Sequence, residues 1–445
     1  MRNEFGFDGV IVSDWGAVKD PLDSLHAELD LEFPHNGKHA VQMQEHLAAG
    51  RVDQECLDKC SGRIIALGEK ATKEKALRKV RYTEEERIAI SQEIEEEGIV
   101  LLKNNGVLPL KKESLCVTGL PAKKYYFGGG SSAVVPNRPF VPLDEALQKL
   151  GFEVHYTQSI SKLYGPYVTV GNIRQACLDS AQNDVTIFTV GTGAGAEVEE
   201  TDRHDITLTP EELSVLRYLR KYAKKLVVVV YAGSAVDLSE FDNLADAVVL
   251  AGFGGQNVSQ AVANVLTGKV NPSGRLTETY AYSVKDIPSE QTYQDEAVMV
   301  YEEKLNVGYR YFSTHEVDVL YPFGYGLSYS KFQYSDLKVE KLGDRVKVSV
   351  QVENVSDIDG REVVQLYVNE VSPAVCRPKR ELKAFEKVAI KPHEKAIVAF
   401  ELTESAFSYY AEEQGKWVVN PGVFKIEIGK NANEIILSER VKYGV

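Results

Sequence analysis

The sequence predicts a multidomain chain in which an α/β architecture is followed by an all-β one. Two observations carry this expectation. The stretches DVTIFTVG (184–191), KLVVVVYAG (225–233) and DAVVLAGFGG (246–255) are continuous apolar runs rich in β-branched residues, each closed by glycine. A strand without polar alternation belongs to a sheet covered on both faces, which is the signature of a mostly parallel sheet between helices. From about residue 331 the period changes to two. Val346, Val348, Val350 and Val352 alternate with polar residues, as do Val364, Leu366 and Val368, and later Phe424, Ile426 and Ile428. With turn signals at Asp359-Gly360 and Asn420-Pro421-Gly422, this pattern predicts an antiparallel β-sandwich.

Along the chain, residues 1–80 form the first zone. It opens MRNEFGFDGVIVSDWGAV. Val10-Ile11-Val12 reads as a short buried strand that delivers Asp14 and Trp15 into a loop. The zone ends in a helical stretch beginning at Ala40, where Leu57, Ile64 and Leu67 recur near multiples of 3.6 and predict an amphipathic helix. The second zone, 85–285, holds the apolar runs. Between the first two lies LTPEELSVLRYLRKYA, in which Thr209 suits an N-cap, Pro210 the first helical position and Glu212 the far side of a capping box. Residues 286–330, which contain YPFGYGLSYS, read as an ordered connector with aromatic anchors. The third zone, 331–445, is the sandwich.

Composition excludes some functions. At about 150 residues per domain, 445 residues give roughly three domains. Net charge is 51 − 65 = −14, and an acidic surface repels phosphate backbones, so no nucleic-acid partner is expected. No apolar run approaches the roughly 18 residues of a membrane helix, and Met-Arg-Asn-Glu-Phe has no signal-peptide character. The five cysteines follow no disulfide framework and offer no zinc-ligand spacing. A cytoplasmic, reducing location and no metal are therefore expected.

Two acidic sites could carry chemistry. Asp14 ends a strand beside Trp15; taken alone it reads as an acid that caps the following turn. GTGAGAEVEETDRHD (191–205) gathers Glu197, Glu199, Glu200, Asp202 and Arg203 after an apolar strand, and alone it reads as a solvated loop. GGGSS (128–132) lacks the GK[ST] element of a phosphate loop and is rejected as one.

Ordered motifs then connect these sites. GFDGVIVSDWGAV, AELDLEFP, EEGIVLLKNNGVLPL, GGQNVSQAVANVLTGKVNPSGRLTETY, VGYRYF and YPFGYGLSYSKFQY resemble, in the same order, elements of the family 3 glycoside hydrolases, which include β-glucosidases and β-xylosidases. The resemblance spans essentially the whole chain. It implies a remnant of a TIM-like barrel over 1–80, an α/β sandwich domain over 85–285 and a fibronectin type III-like sandwich over 331–445. A full barrel needs about 250 residues, so the chain is expected to be a fragment from a truncated or split gene or an incomplete reading frame.

The resemblance also implies roles. The aspartate of the S-D-W element, Asp14, corresponds to the nucleophile. The glutamate of an E-G-x-D-R element corresponds to the acid/base and falls on Glu199. The chain departs from that pattern at Glu200, where glycine is usual, so Glu197 and Glu200 stay as alternatives. Trp15 would stack on the sugar. The implied activity is retaining hydrolysis of a terminal β-linked glucose or related sugar, with a β-glucoside or oligosaccharide as substrate and no cofactor. In such chemistry an ionised carboxylate and a protonated one stand about 5–5.5 Å apart. A missing barrel segment or a homodimer are the implied protein partners. Two other readings are kept: a non-catalytic remnant or carbohydrate-binding module, and hexosaminidase-type chemistry with a His/Asp dyad on the absent barrel loops.

Overall fold

The computed structural model describes residues 1–77, 82–124, 140–192, 197–199, 201, 203, 205–292 and 300–444, excepting 165–166. GGGSS (128–132), Glu200 and Asp202 lie outside the described residues. The chain divides into two compact units, Met1–Glu84 and Glu85–Val445.

In the first unit, helices α1 (Arg2–Phe5), α2 (Pro21–His26), α3 (Gly37–Ala48) and α4 (Gln54–Leu77) surround two extended segments. Helix α2 starts where local chemistry dictates: Asp20 accepts the Leu22 and Asp23 N–H groups at 2.8 and 2.9 Å, and proline fills the first position. Two expectations are corrected here. Val10–Val12 does not form a buried strand. Among the described residues its pairing is a single parallel bridge from Val12 to Leu31, and Val12 is exposed. A strand gains burial from neighbours on both edges, and within this unit there is one. The expected amphipathic helix is two helices, separated at Gly50, whose φ of 66° is the left-handed conformation that ends a helix. Ile64 and Leu67 remain exposed, and Leu25 and Cys60 are the buried apolar residues among those described in the unit.

The second unit opens with α5 (Glu84–Gly98) and then builds a six-stranded sheet. Its elements in chain order are β1 (Val100–Asn104), β2 (Leu115–Thr118), α6 (Leu143–Lys149), β3 (Val154–Thr157), a hairpin of β4 (Ile160–Tyr164) and β5 (Tyr167–Val170), α7 (Ile173–Gln182), β6 (Val185–Gly191), α8 (Pro210–Tyr222), β7 (Leu226–Tyr231), α9 (Ser239–Leu244), β8 (Ala247–Leu250) and α10 (Val258–Leu266). The sheet order is β1-β8-β7-β6-β2-β3, parallel except for β1. Every residue of β6 and β7 is buried. Ile187, Val227 and Val229 pack on α6 and α10, while Phe188, Val228 and Val230 pack on α7 and α8. The mostly parallel, doubly covered sheet is thus as expected. From β2 the chain moves one way to β3, then returns past β2 to β6, β7 and β8. The direction of winding reverses between β2 and β6, and in open α/β sheets such a reversal opens a crevice at the carboxyl ends of the strands.

After helix α11 (Tyr309–His315), strands β9 (Phe332–Leu342), β10 (Arg345–Asn354), β11 (Gly360–Glu370), β12 (Glu381–Ile390), β13 (Lys395–Leu402), β14 (Tyr409–Ala411), β15 (Lys416–Val418), β16 (Gly422–Gly429) and β17 (Ile435–Tyr443) follow. Sheets β13-β10-β9 and β12-β11-β16-β17 are antiparallel throughout. All ten residues of the predicted period-two pattern are buried in their shared core. The aromatic connector is pinned at several points: Tyr309 stacks on Phe323 with centroids 4.5 Å apart, Tyr321 on Tyr325 at 5.3 Å, and the Tyr329 hydroxyl donates to Val265 O at 2.8 Å.

The contrast between the two units predicts their order of loss. In the 445-residue chain, limited proteolysis cuts within residues 1–84 first and leaves a resistant 85–445 core. Mass spectrometry of the early products reads this, and cuts in β6, β7 or β10 at the same rate would contradict it.

Candidate active site

In the first unit, the loop carrying Asp14 is held by its neighbour 31–33. Ser13 N donates to Leu31 O and Gly16 N to Phe33 O, both at 2.9 Å, and Phe33 N donates to Ser13 Oγ at 2.8 Å. Gly16 takes φ 71° at the turn, a conformation that costs glycine little. Asp14 is exposed, and its Oδ1 accepts the Trp15 N–H at 2.6 Å. The Trp15 ring is 75% exposed and lies nearly parallel to Phe33, 9° between planes with centroids 6.3 Å apart. A flat, open indole beside a carboxylate suits a sugar face.

Beneath this loop lies a group that the motif reading passed over. The Asp30 side chain has no exposed surface. It accepts from Ile11 N at 2.6 Å, from Arg2 Nη2 at 2.6 Å and from Arg63 Nε at 2.7 Å. Burial works against its charge, but these donors outweigh it and hold the carboxyl below the usual range. The two arginines also share Glu28, at 2.9 and 3.1 Å. Glu28 has φ 59°, and its two ion pairs offset the strain of a left-handed side chain. The clue was in AELDLEFP, where Asp30 is the aspartate of the motif.

In the second unit, the acidic loop leaves the carboxyl end of β6. Glu212, buried at the third position of α8, closes its base. It accepts the Thr209 N–H at 3.2 Å and the Thr209 hydroxyl at 2.9 Å in the expected capping box, and its other oxygen faces the Gly191 N–H at 3.5 Å. Burial pushes Glu212 up to about 7 against those donors. Within the loop the acids divide. Glu197 is largely buried, accepting from Thr192 Oγ1 at 2.8 Å and from Ser234 Oγ at 3.1 and 3.2 Å. Arg203 Nη1 donates to the same Ser234 hydroxyl at 2.8 Å and to Ala235 O at 3.1 Å. Glu199 is exposed in a turn closed by Thr201 N to Val198 O at 3.4 Å, and has no side-chain partner among the described residues. Nearby, Glu278 accepts the Ala235 N–H; partial desolvation, with the Glu197 charge adding to it, raises its carboxyl above the usual range. Ser234 and Glu278 lie 37 and 81 residues from Glu197 (234 − 197 and 278 − 197), and no local pattern in the sequence joined them to the loop.

Residues 99–329 match the glycosyl hydrolase family 3 C-terminal domain, which is more than half of the chain. The chain belongs to glycoside hydrolase family 3. Residues 362–432 match a fibronectin type III-like domain. Thermostable β-glucosidase B of Acetivibrio thermocellus is 36% identical over 99% of this chain and 60% of its own length. An exo-α-(1→6)-L-arabinopyranosidase of Bifidobacterium breve is 32% identical over 98% of this chain and 59% of its own. The chain thus spans about 60% of the length of these curated relatives. Among solved structures, the family 3 β-glucosidase of Bifidobacterium adolescentis aligns with a TM-score of 0.91 and 31% identity, over 99% of this chain and 66% of that one. β-Glucosidase 3B of Thermotoga neapolitana, solved in complex with glucose, aligns with a TM-score of 0.87 and 28% identity, over 100% of this chain and 67% of that one.

Glu212 yields a pH prediction. Its ordinary value is 4.5 and its folded value about 7, so the folded chain binds the proton more tightly. The stabilisation is full below pH 4.5 and is lost as pH rises through about 7. Glu212→Gln keeps the capping geometry and flattens the fall in urea midpoint across that window. Glu95, which burial also pushes up to about 7, and Glu278, also raised, contribute to the slope that remains. An unchanged slope in Glu212→Gln would refute the assignment.

Proposed function

We propose that this chain carries the two catalytic carboxylates of a retaining β-glycosidase that hydrolyses a terminal β-linked glucose or related sugar by double displacement. One observation carries the reading: at both candidate sites some acids are consumed by protein donors and others are not. Asp30 and Glu197 are spent on structure, whereas Asp14 and Glu199 are presented to solvent. The glucose complex of the Thermotoga neapolitana enzyme supports a small sugar as ligand. A cytoplasmic setting is proposed with it, because the five cysteines form no disulfide framework.

In the first step Asp14 attacks the anomeric carbon through Oδ2, since Oδ1 is held by the Trp15 N–H. A bond forms from that oxygen to the carbon as the glycosidic carbon–oxygen bond breaks, and Glu199 gives its proton to the departing oxygen. In the second step Glu199 takes a proton from water. The water oxygen attacks the anomeric carbon and Asp14 leaves as carboxylate. Two inversions return the original configuration. Trp15 stacks on the pyranose.

A second reading, a chain that binds sugar or serves structure without turnover, is favoured by one feature. Leu25 and Cys60 are the buried apolar residues among those described in 1–84, and a loosely cored unit positions a nucleophile poorly.

Kinetics on aryl and alkyl β-glucosides separate the readings. If the chain is catalytic, Asp14→Asn removes turnover with every aglycone, and a fluorosugar labels the Ser13-Asp14-Trp15 peptide in the unmutated chain. No labelling and no turnover favour the second reading.

Glu199→Ala behaves differently. Hydrolysis of poor leaving groups falls by about 10²–10⁴-fold, the range of a lost general acid. Activated aryl glycosides keep their first step, and azide restores the second, giving a glycosyl azide of retained configuration. Azide rescue in Glu197→Ala or Glu200→Ala instead would move the role to that residue.

A further inference from the structure

The turn that presents Glu199 is flanked by two residues of opposite charge that reach the same hydroxyl. Glu197 precedes it and Arg203 follows it. Their closest approach is 3.8 Å, which is too long for a direct hydrogen bond. The link runs through Ser234 at the carboxyl end of β7. Its hydroxyl accepts from Arg203 Nη1 at 2.8 Å and lies 3.1 and 3.2 Å from the two oxygens of Glu197. An hydroxyl is a donor and an acceptor at once, so it can close a circuit that neither charged group closes alone. Arg203 continues to Ala235 O at 3.1 Å, and Thr192 Oγ1 adds 2.8 Å to Glu197 from the start of the loop. Glu197 and Arg203 are both mostly withdrawn from solvent, with side chains 14% and 19% exposed, so bonds between them are charge-assisted in a poorly screened place.

We propose that Glu197 and Arg203 are positioning residues, joined through Ser234, which clamp both flanks of the Val198–Thr201 turn to the end of β7 and so fix where Glu199 stands. The inference rests on the reading of Glu199 as acid/base and adds what holds it there. It assigns Glu197 a role without proton transfer to substrate, since its oxygens are occupied. It also sets one carboxylate of a loop rich in like charge inward, beside the arginine.

Hydrogen–deuterium exchange on the 445-residue chain tests the clamp. In Arg203→Ala and Ser234→Ala, amides within 191–209 exchange about tenfold faster, as loss of a charged hydrogen bond allows. Those of β7 do not change, and the melting temperature holds. Arg203→Lys and Ser234→Thr restore part of the protection, because each keeps a donor or the hydroxyl; a residue needed only for bulk would show no such rescue. Glu199→Gln leaves exchange as it was. Unchanged exchange in Arg203→Ala and Ser234→Ala, or an equal rise across the whole sheet, overturns the proposal. The two readings fail separately: absence of azide rescue in Glu199→Ala removes the acid/base role and leaves the clamp, whereas unaltered exchange removes the clamp and leaves the role.

Discussion

Burial of strands β6 and β7 on both faces is the constraint from which the rest of the second unit follows. No side chain of either strand meets water, so helices must cover the sheet above and below, and each strand must leave it through a loop at its carboxyl end. Those loops are where polar groups can gather. The reversal of winding between β2 and β6 marks the point at which open α/β sheets place a crevice at the carboxyl ends of the strands. The acidic loop emerges there, and Ser234 arrives beside it from β7. Gly119, just past β2, shows how closely the strands are drawn together. Its φ is 102°, and a side chain there would strike Thr189 O, 2.0 Å from the Cβ position, so only glycine fits.

A second constraint fixes the sandwich to this unit. Arg275 leads into the connector and Glu362 lies on β11, and they pair at 2.7 Å with side chains 10% and 4% exposed. The Tyr334 hydroxyl donates to the other oxygen of Glu362 at 2.7 Å. A buried pair gives little net stability against an apolar substitute, but removing one partner strands a charge, at a cost of about 3–5 kcal/mol. The pair ties Arg275 to one place on β11. Glu97, at the end of α5, adds contacts to Arg361 and Lys387 of the sandwich. Both sets of contacts gather at the entry to β1, since Gly274, beside Arg275, lies against the Ile99 carbonyl.

How much of this the sequence disclosed depends on the reach of each signal. The runs of β6, β7 and β8, the Thr209–Glu212 box and the period-two core of the sandwich were legible because each is written in neighbouring residues and each agrees with its surroundings. The first unit was not. Gly50 divides a stretch whose apolar spacing suggested one helix, and Val12 lacks the second neighbour that would have made its strand a buried one. Asp30 is joined to Arg2 and Arg63 across 28 and 33 residues, a contact no periodicity announces. The candidate catalytic acids came from motif resemblance alone; local pattern read Asp14 as a turn cap and Glu199 as part of a solvated loop.

The structure adds a criterion that composition could not supply, which is how fully each carboxylate is already engaged. A carboxylate that accepts three or more donors is tied to its charged form and to its place, as Asp30 is. It can neither reach a substrate nor exchange a proton near neutrality without dismantling its surroundings. Glu197 is also engaged, by two donors, Thr192 and Ser234. Glu212 is the opposite case: burial raises it into the range a general acid needs, yet it is sealed under the capping box where no sugar can reach. Raised affinity for a proton is therefore not enough, and neither is exposure, since many surface acids have it. What distinguishes Asp14 and Glu199 is that each is exposed and also seated on a loop whose other polar groups are engaged: Ser13 with Phe33 beside one, Glu197, Arg203 and Ser234 beside the other. The engaged acids supply the rigidity that the unengaged ones use.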